Sequence, residues 1–313
     1  LAMNTPPLTL PDLTGKVALI TGANTGIGRV TARELARHGA RVFLAGLSQE
    51  RTQAVLDEIR SWPTLMPSSA ASKANPSLDS PHIGQVEWLP LDLGDLHSVR
   101  ACAQAFLSLG FPLHILINNA GLAGARGLSV SGFEKVFGVN HVGHFLLTQL
   151  LLPKLKATAS AYGSARVVTV ASRAHRKAKA WSWEALQQPT QTFTGIQEYG
   201  VSKLANIGFS AELGRRLQGT GVTSYALHPG VVSTDVWRAV PLPFRHLLKL
   251  RGMITPEEGA RTSLFCATSA QCAHETGLYY DLCKPVLPTP LGQDASLARA
   301  LWERSEQWVQ PYL

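Results

Sequence analysis

An α/β fold, one doubly wound parallel sheet in a single domain with a C-terminal extension, is predicted by three features of the sequence. Short apolar runs alternate with helical patterns along most of the chain. The runs are continuously apolar, as strands buried on both faces must be, and they end in small or polar residues suited to a ligand at the carboxyl edge of a sheet. The length of 313 residues, 45% of them hydrophobic and 16% charged, fits one core with insertions. The 29 Lys and Arg against 21 Asp and Glu give a net charge of +8, which admits an acidic partner. Neither a block of like charges nor a basic stretch interleaved with aromatics occurs, so a phosphorylated cofactor is expected rather than nucleic acid. The four cysteines show no Cys-x-x-Cys spacing and imply neither zinc nor a disulfide framework. No apolar stretch of about 18 residues and no signal-peptide pattern occurs, so a cytoplasmic protein without a transmembrane segment is expected.

Residues 1–12 read as a tail, and the domain is expected over 13–313. Lys16–Ile20 is a first buried strand, broken by Thr-Gly-Ala-Asn-Thr-Gly-Ile-Gly at 21–28, with a helix from Ile27 to His38. Strand, glycine turn and helix are the context that gives such a motif meaning. Gly22 permits the tight turn, Gly26 lets the backbone approach a diphosphate, and Gly28 permits close helix-to-strand packing, with the helix N-terminus facing the anion. Arg41–Gly46 is a second strand, whose end should meet an adenosine ribose. An acid there would bind a 2′-hydroxyl, but Gly46-Leu47-Ser48 follows, with Arg29 and Arg51 nearby, and the expectation is NADP(H) over NAD(H).

A helix over Gln49–Ser61 is followed by an aperiodic stretch rich in Pro, Ser and Ala, read as a surface insertion at 62–85. A third strand, Val86–Leu91, ends in Asp92 and Leu93, and Asp92 suits an adenine amino group or a helix cap equally well. A helix over Leu96–Leu109 leads to the strand Leu113–Ile117 and then Asn118-Asn119-Ala120-Gly121, small residues against which a flat ligand fits. A long helix from Phe133 to Leu155 contains Asn140, which on its own reads as a structural amide. The strand Ala165–Val170 delivers Ser172 to the same edge, an irregular segment runs from Arg173 to Gln197, and a sixth strand, Val222–Leu227, precedes Pro229, Gly230, Val232 and Thr234. Pro285–Leu291 is expected to run extended over the surface, and Asp294–Val309 to form a terminal helix, within an extension over 282–313.

The chemistry centres on Tyr199 and Lys203, four apart and so on one face of a helix. A free phenol, with a pKa near 10, is a poor proton donor or acceptor at neutral pH. A cation at roughly 4 Å would lower that pKa by about 3 units at an effective dielectric near 20, bringing Tyr199 to working pH.

Taken together, Thr-Gly-x-x-x-Gly-x-Gly, Asn-Asn-Ala-Gly, an internal Asn, a strand-end Ser, Tyr-x-x-x-Lys and Pro-Gly-x-x-x-Thr, in that order, resemble the short-chain dehydrogenase/reductase family of the classical type. The resemblance runs from Leu13 to Tyr280 and implies a Rossmann-type fold. Val139–Phe145, the long gap from Ser172 to Tyr199 and the Ser-Lys-Leu-Ala-Asn at 202–206 are similar to the retinol dehydrogenase-like branch, although that branch commonly carries Cys-Arg where Gly46-Leu47 stands here. Carried over by position, the resemblance implies a catalytic tetrad of Asn140, Ser172, Tyr199 and Lys203. Tyr199 would exchange a proton with the substrate oxygen, Ser172 orient that oxygen, Lys203 tune Tyr199 and bind the nicotinamide ribose, and Asn140 hold a relay water. It further implies cofactor contacts from Gly22, Asn24, Thr25, Gly26, Ile27, Gly28, Asp92, Leu93, Asn119, Ala120, Gly121, Tyr199, Lys203, Pro229, Gly230, Val232 and Thr234, and a homodimer or homotetramer.

Substrate selection is expected in a lid at 234–255, where Val240, Leu242, Phe244 and Leu247 alternate with Arg238, Arg245 and Lys249. A bulky apolar ketone, aldehyde or alcohol suits it. Alternatives are a non-catalytic dinucleotide sensor or scaffold and an NAD-linked hydroxysteroid-type dehydrogenase. A sensor would be expected to lose Ser172, Tyr199 or Lys203, and all are present.

Overall fold

The computed structural model describes residues 8–61, 85–232 and 254–313. The predicted insertion, apart from Gln85, and the predicted lid, apart from Ile254 and Thr255, lie outside the described residues. Among the described residues, one sheet of eight strands organises the fold, in the order β3-β2-β1-β4-β5-β6-β7-β8. Its strands are β1 (Val17–Thr21), β2 (Arg41–Gly46), β3 (Val86–Pro90), β4 (Ile115–Asn118), β5 (Ala165–Val170), β6 (Val222–His228), β7 (Leu278–Asp281) and β8 (Lys284–Pro285). Every neighbouring pair is parallel except β7 and β8. The reversal between β1 and β4 opens a crevice at the carboxyl edge, where ligands of doubly wound sheets bind.

Alternate residues of each strand face opposite layers. Leu19, Phe43, Leu116 and Val167 pack towards α3 (Leu96–Ser108), α5 (Gly143–Tyr162) and α6 (Ile196–Arg216). Ile20, Leu44, Ile117 and Val168 pack towards α1 (Gly26–Arg37), α2 (Gln49–Ser61) and α7 (Pro256–Thr268). Part of the predicted tail joins this second core, with Leu10 buried and Leu8 packed against it.

Further features depart from the sequence reading, whereas the terminal helix stands where it was expected. The predicted long helix is a turn, α4 (Lys135–Phe137), a π-helical turn (Gly138–Val142) and then α5. The strands β7 and β8 and the helix α7 were not foreseen, although Thr255 and Glu258 form a reciprocal capping box with Pro256 in the first turn of α7. Pro285–Leu291 is not extended throughout, because α8 (Pro290–Gln293) begins inside it. The terminal helix α9 (Ala295–Val309), capped by Asp294, packs on its own domain: Trp302 stacks on Phe209 of α6 at 5.8 Å and meets Phe145 of α5 edge-on at 5.0 Å. Among the described residues, no helix is long and apolar enough to cross a membrane.

Candidate active site

The carboxyl ends of the strands open into a cleft of about 1170 Å3. The predicted residues of the glycine turn, Gly22 and Asn24 to Gly28, line it, with Asp92 and Leu93 after β3 and Asn119, Ala120 and Gly121 after β4. Ser172, Tyr199, Lys203, Pro229, Gly230 and Val232 complete the predicted set. Asn140 is fully buried behind this lining, and Thr234 lies outside the described residues.

Steric demands explain the turn. Gly22 has φ +65°, and a Cβ there would stand 2.8 Å from Ala120 Cα. A Cβ on Gly28 would stand 2.4 Å from the Gly22 carbonyl oxygen and 2.5 Å from Asn119 Nδ2. The Asn119 side chain braces the turn, donating to the carbonyls of Thr21 at 2.9 Å and Gly22 at 3.2 Å. Thr21, which the sequence offered only as a motif letter, accepts the N–H groups of Asn119 and Ala120 through Oγ1, at 3.0 Å each, and bonds His144 Nε2 at 2.8 Å. At the start of α1 no acidic residue occupies the first turn and Thr25 makes no side-chain cap, so unpaired N–H groups face the cleft.

Beyond the end of β2, where the sequence reading expects an adenosine ribose, Arg29 is tied to Glu58 at 2.6 Å. Arg51 lines the cleft and has no ion pair among the described residues. Asp92 accepts the Gly94 N–H at 2.8 Å while remaining part of the lining, and the cap of α3 is Asp95.

α6 starts from Gly195, in the left-handed region at φ 66°, and carries Tyr199 and Lys203 into the cleft. Lys203 Nζ donates to the Val170 carbonyl at the end of β5, at 2.8 Å, and stands 5.6 Å from the Tyr199 ring centre. Burial pushes the Tyr199 phenol up to about 12, against a hydrogen bond with Ser172 that pulls it down. Burial also brings Lys203 down to about 7. Burial thus opposes the shift that the sequence reading expects from Lys203. Desolvation disfavours the charged form of both groups.

Asn140 sits in the π-helical turn, a feature often associated with functional positions. Its Oδ1 accepts the Leu122 N–H at 2.8 Å, and its Nδ2 donates to the Leu122 carbonyl at 3.0 Å and to Ser202 Oγ at 2.9 Å. Ser202 Oγ in turn donates to the Tyr199 carbonyl at 2.8 Å. The amide therefore ties the loop after β4 to the helix that carries Tyr199. A Cβ on Gly121 would stand 3.4 Å from Lys203 Nζ and 3.5 Å from Asn140 Oδ1, so the two groups flank one small space.

The short chain dehydrogenase family profile matches residues 16–71 and 66–242. Retinol dehydrogenase 12 of Mus musculus is 41% identical over 300 residues, covering 94% of this chain and 86% of that protein. Dehydrogenase/reductase SDR family member 13 of Bos taurus is 40% identical over 303 residues, covering 95% of this chain and 74% of that one. Among solved structures, RhlG of Pseudomonas aeruginosa in its NADP active-site complex is 27% identical with a TM-score of 0.64, covering 92% of this chain and 98% of that one. An uncharacterized protein from Mycobacterium Paratuberculosis is 33% identical with a TM-score of 0.72, covering 96% of each chain. The chain belongs to the short-chain dehydrogenase/reductase family, in its retinol dehydrogenase-like part, and is an NAD(P)-dependent oxidoreductase acting on CH–OH groups.

Proposed function

We propose that the protein interconverts a bulky apolar aldehyde or ketone and its alcohol, with NADP(H) as the preferred cofactor and Tyr199 as general acid and base. The observation that carries this reading is the convergence of Ser172, Tyr199 and Lys203 in one cleft with the glycine turn. The turn, the open start of α1 and the small residues Ala120 and Gly121 fit a nicotinamide dinucleotide, whose chemistry when bound is hydride donation or acceptance. Arg51, opposite a strand end without a carboxylate, supports a 2′-phosphate. The names of the retinol dehydrogenase relatives make retinal and retinol the first substrates to test.

Within this reading Tyr199 gives its proton to the carbonyl oxygen in reduction and takes it back in oxidation. Ser172 Oγ, already bonded to the Tyr199 hydroxyl, holds the same oxygen in place. Lys203 lends positive charge beside the phenol while it is protonated. Asn140 Oδ1, facing the space that Gly121 leaves open, would hold a water there, through which Lys203 Nζ passes the proton outward.

Nicotinamide fluorescence during titration with NADPH and then NADH, beside turnover of retinal, bulky ketones and bulky aldehydes by wild type and Tyr199→Phe, tests the reading. Tighter NADPH binding with turnover abolished only in the variant supports it. Cofactor binding without turnover by either protein favours a dinucleotide sensor.

A further inference from the structure

Arg173 follows Ser172 directly and is gripped from two sides. Its backbone N–H donates to His228 Nδ1 at 3.2 Å, and its guanidinium Nε donates to Asp281 Oδ2 at 2.6 Å. The parallel register of β6 and β7 sets His228 opposite Asp281, so the two acceptors form one unit at the sheet edge. His228 is 3% exposed and lines the cleft. Its bond to Arg173 is the one hydrogen bond the ring makes among the described residues.

The position of this grip in the sheet gives it meaning. The last ladder bond from the β5 side runs from the Ala171 N–H to the Leu227 carbonyl at 2.8 Å. Two residues later the next N–H on that side, that of Arg173, meets the His228 imidazole instead of a carbonyl. The side chain thus continues the ladder past the point where Pro229 and Gly230 turn the backbone away. Ser172 lies between these two bonds.

We propose that His228 and Asp281 are positioning residues for Ser172, clamping Arg173 by main chain and side chain so that the Ser172 hydroxyl stays aimed at the substrate oxygen. The proposal rests on the reading of Ser172 as the group that orients that oxygen. Because Nδ1 accepts, the ring is neutral and carries its proton on Nε2. Protonation at Nδ1 would set donor against donor and open the clamp. Burial pushes the ring down to about 4; Asp281 on β7 opposes this, whereas Arg173, His175 and Arg176 of the turn after β5 reinforce it. The clamp is therefore closed at neutral pH and opens as the pH falls through about 4.

The test compares wild type with His228→Leu, His228→Asn, which keeps an acceptor, and Asp281→Asn. Backbone amide exchange over Ser172–Ala174 is read beside kcat, KM, NADPH affinity and the pH profile. In His228→Leu, exchange of the Arg173 amide accelerates about tenfold or more, and kcat falls about 10- to 100-fold with NADPH affinity unchanged, the loss that a misplacement of roughly 1 Å produces. His228→Asn restores slow exchange and most of kcat, and it lacks the acid limb near pH 4 that the wild type shows. If His228→Leu does not fold, Asp281→Asn carries the same expectation of faster exchange and lower kcat. Wild-type exchange and kcat in the folded variants overturn the clamp. Should the wild type turn over no carbonyl compound, the loss falls on the reading of Ser172, and amide exchange alone decides the clamp.

Discussion

Replacing Lys203 by Met is expected to move the pH range in which alcohol is oxidised. Two unit charges at 5.6 Å, the separation of Lys203 Nζ from the Tyr199 ring centre, interact by about 3 kcal/mol at an effective dielectric near 20, roughly 2 pKa units. That help exists only while the lysine is protonated, and burial holds its pKa to about 7. On the proposed mechanism, oxidation needs Tyr199 deprotonated. In the wild type a protonated Lys203 would stabilise the phenolate against the burial that pushes the phenol up, and the benefit fades as the lysine loses its proton. In Lys203→Met that charge is gone, and only burial and the Ser172 hydrogen bond act on the phenol. Its kcat for oxidation should fall by about 100-fold at pH 7 and climb with pH, about tenfold per unit, towards alkaline values. The assay is the pH profile of kcat in saturating alcohol and NADP, with cofactor affinity measured separately so that a lost ribose contact is not mistaken for a lost charge. Wild-type and variant profiles that superimpose after correction for binding would show that the charge of Lys203 does not reach Tyr199, and the reasoning would be wrong.

Further predictions follow from the same geometry. Gly28→Ala should destabilise the fold by about 1–3 kcal/mol, because its Cβ would overlap the Gly22 carbonyl and Asn119; thermal unfolding and NADPH titration should show lower Tm and weaker binding together. Arg51→Ala should weaken NADPH about 10- to 100-fold and leave NADH unchanged, the cost of one charge-assisted bond to a phosphate, read by fluorescence titration. Gly121→Ala should lower kcat more than cofactor affinity, because the new methyl fills the space between Lys203 Nζ and Asn140 Oδ1. Buried His144 has its pKa lowered to about 4 by desolvation, so the unfolded chain binds its proton more readily. Its contribution to stability is complete above about 6.5, the unfolded value, and is lost as pH falls towards about 4. Urea midpoints should decline across that window, less steeply in His144→Asn.

The parallel core was legible because a strand covered on both faces cannot hide its apolar run. Arg41–Gly46 and Ala165–Val170 stand where the sequence placed them, as does the helix Gln49–Ser61. The residues of the cleft were legible as types at strand ends, but their partners were not. Asn119 looked like a floor for a ligand, and its side chain turned out to brace the glycine turn. β7 has only the residues Leu278–Asp281, too few to show a period. The pairing of His228 with Asp281 depends on strand register, which no local pattern records. The mutual desolvation of Tyr199 and Lys203 was also invisible, since spacing on a helix gives proximity but not the loss of water around it.

The docking of α9 bears on the order in which the molecule is made. Ser305 Oγ bonds His141 Nε2 at 2.9 Å across 164 residues of sequence, and Trp302 covers Phe145 and Phe209. During synthesis the π-helical turn and α6 emerge long before α9, so they wait without the wall against which they finally pack. Contacts of such separation form late and slowly. The nascent chain can therefore hold a nearly complete glycine turn while α6 still lacks the wall that α9 supplies.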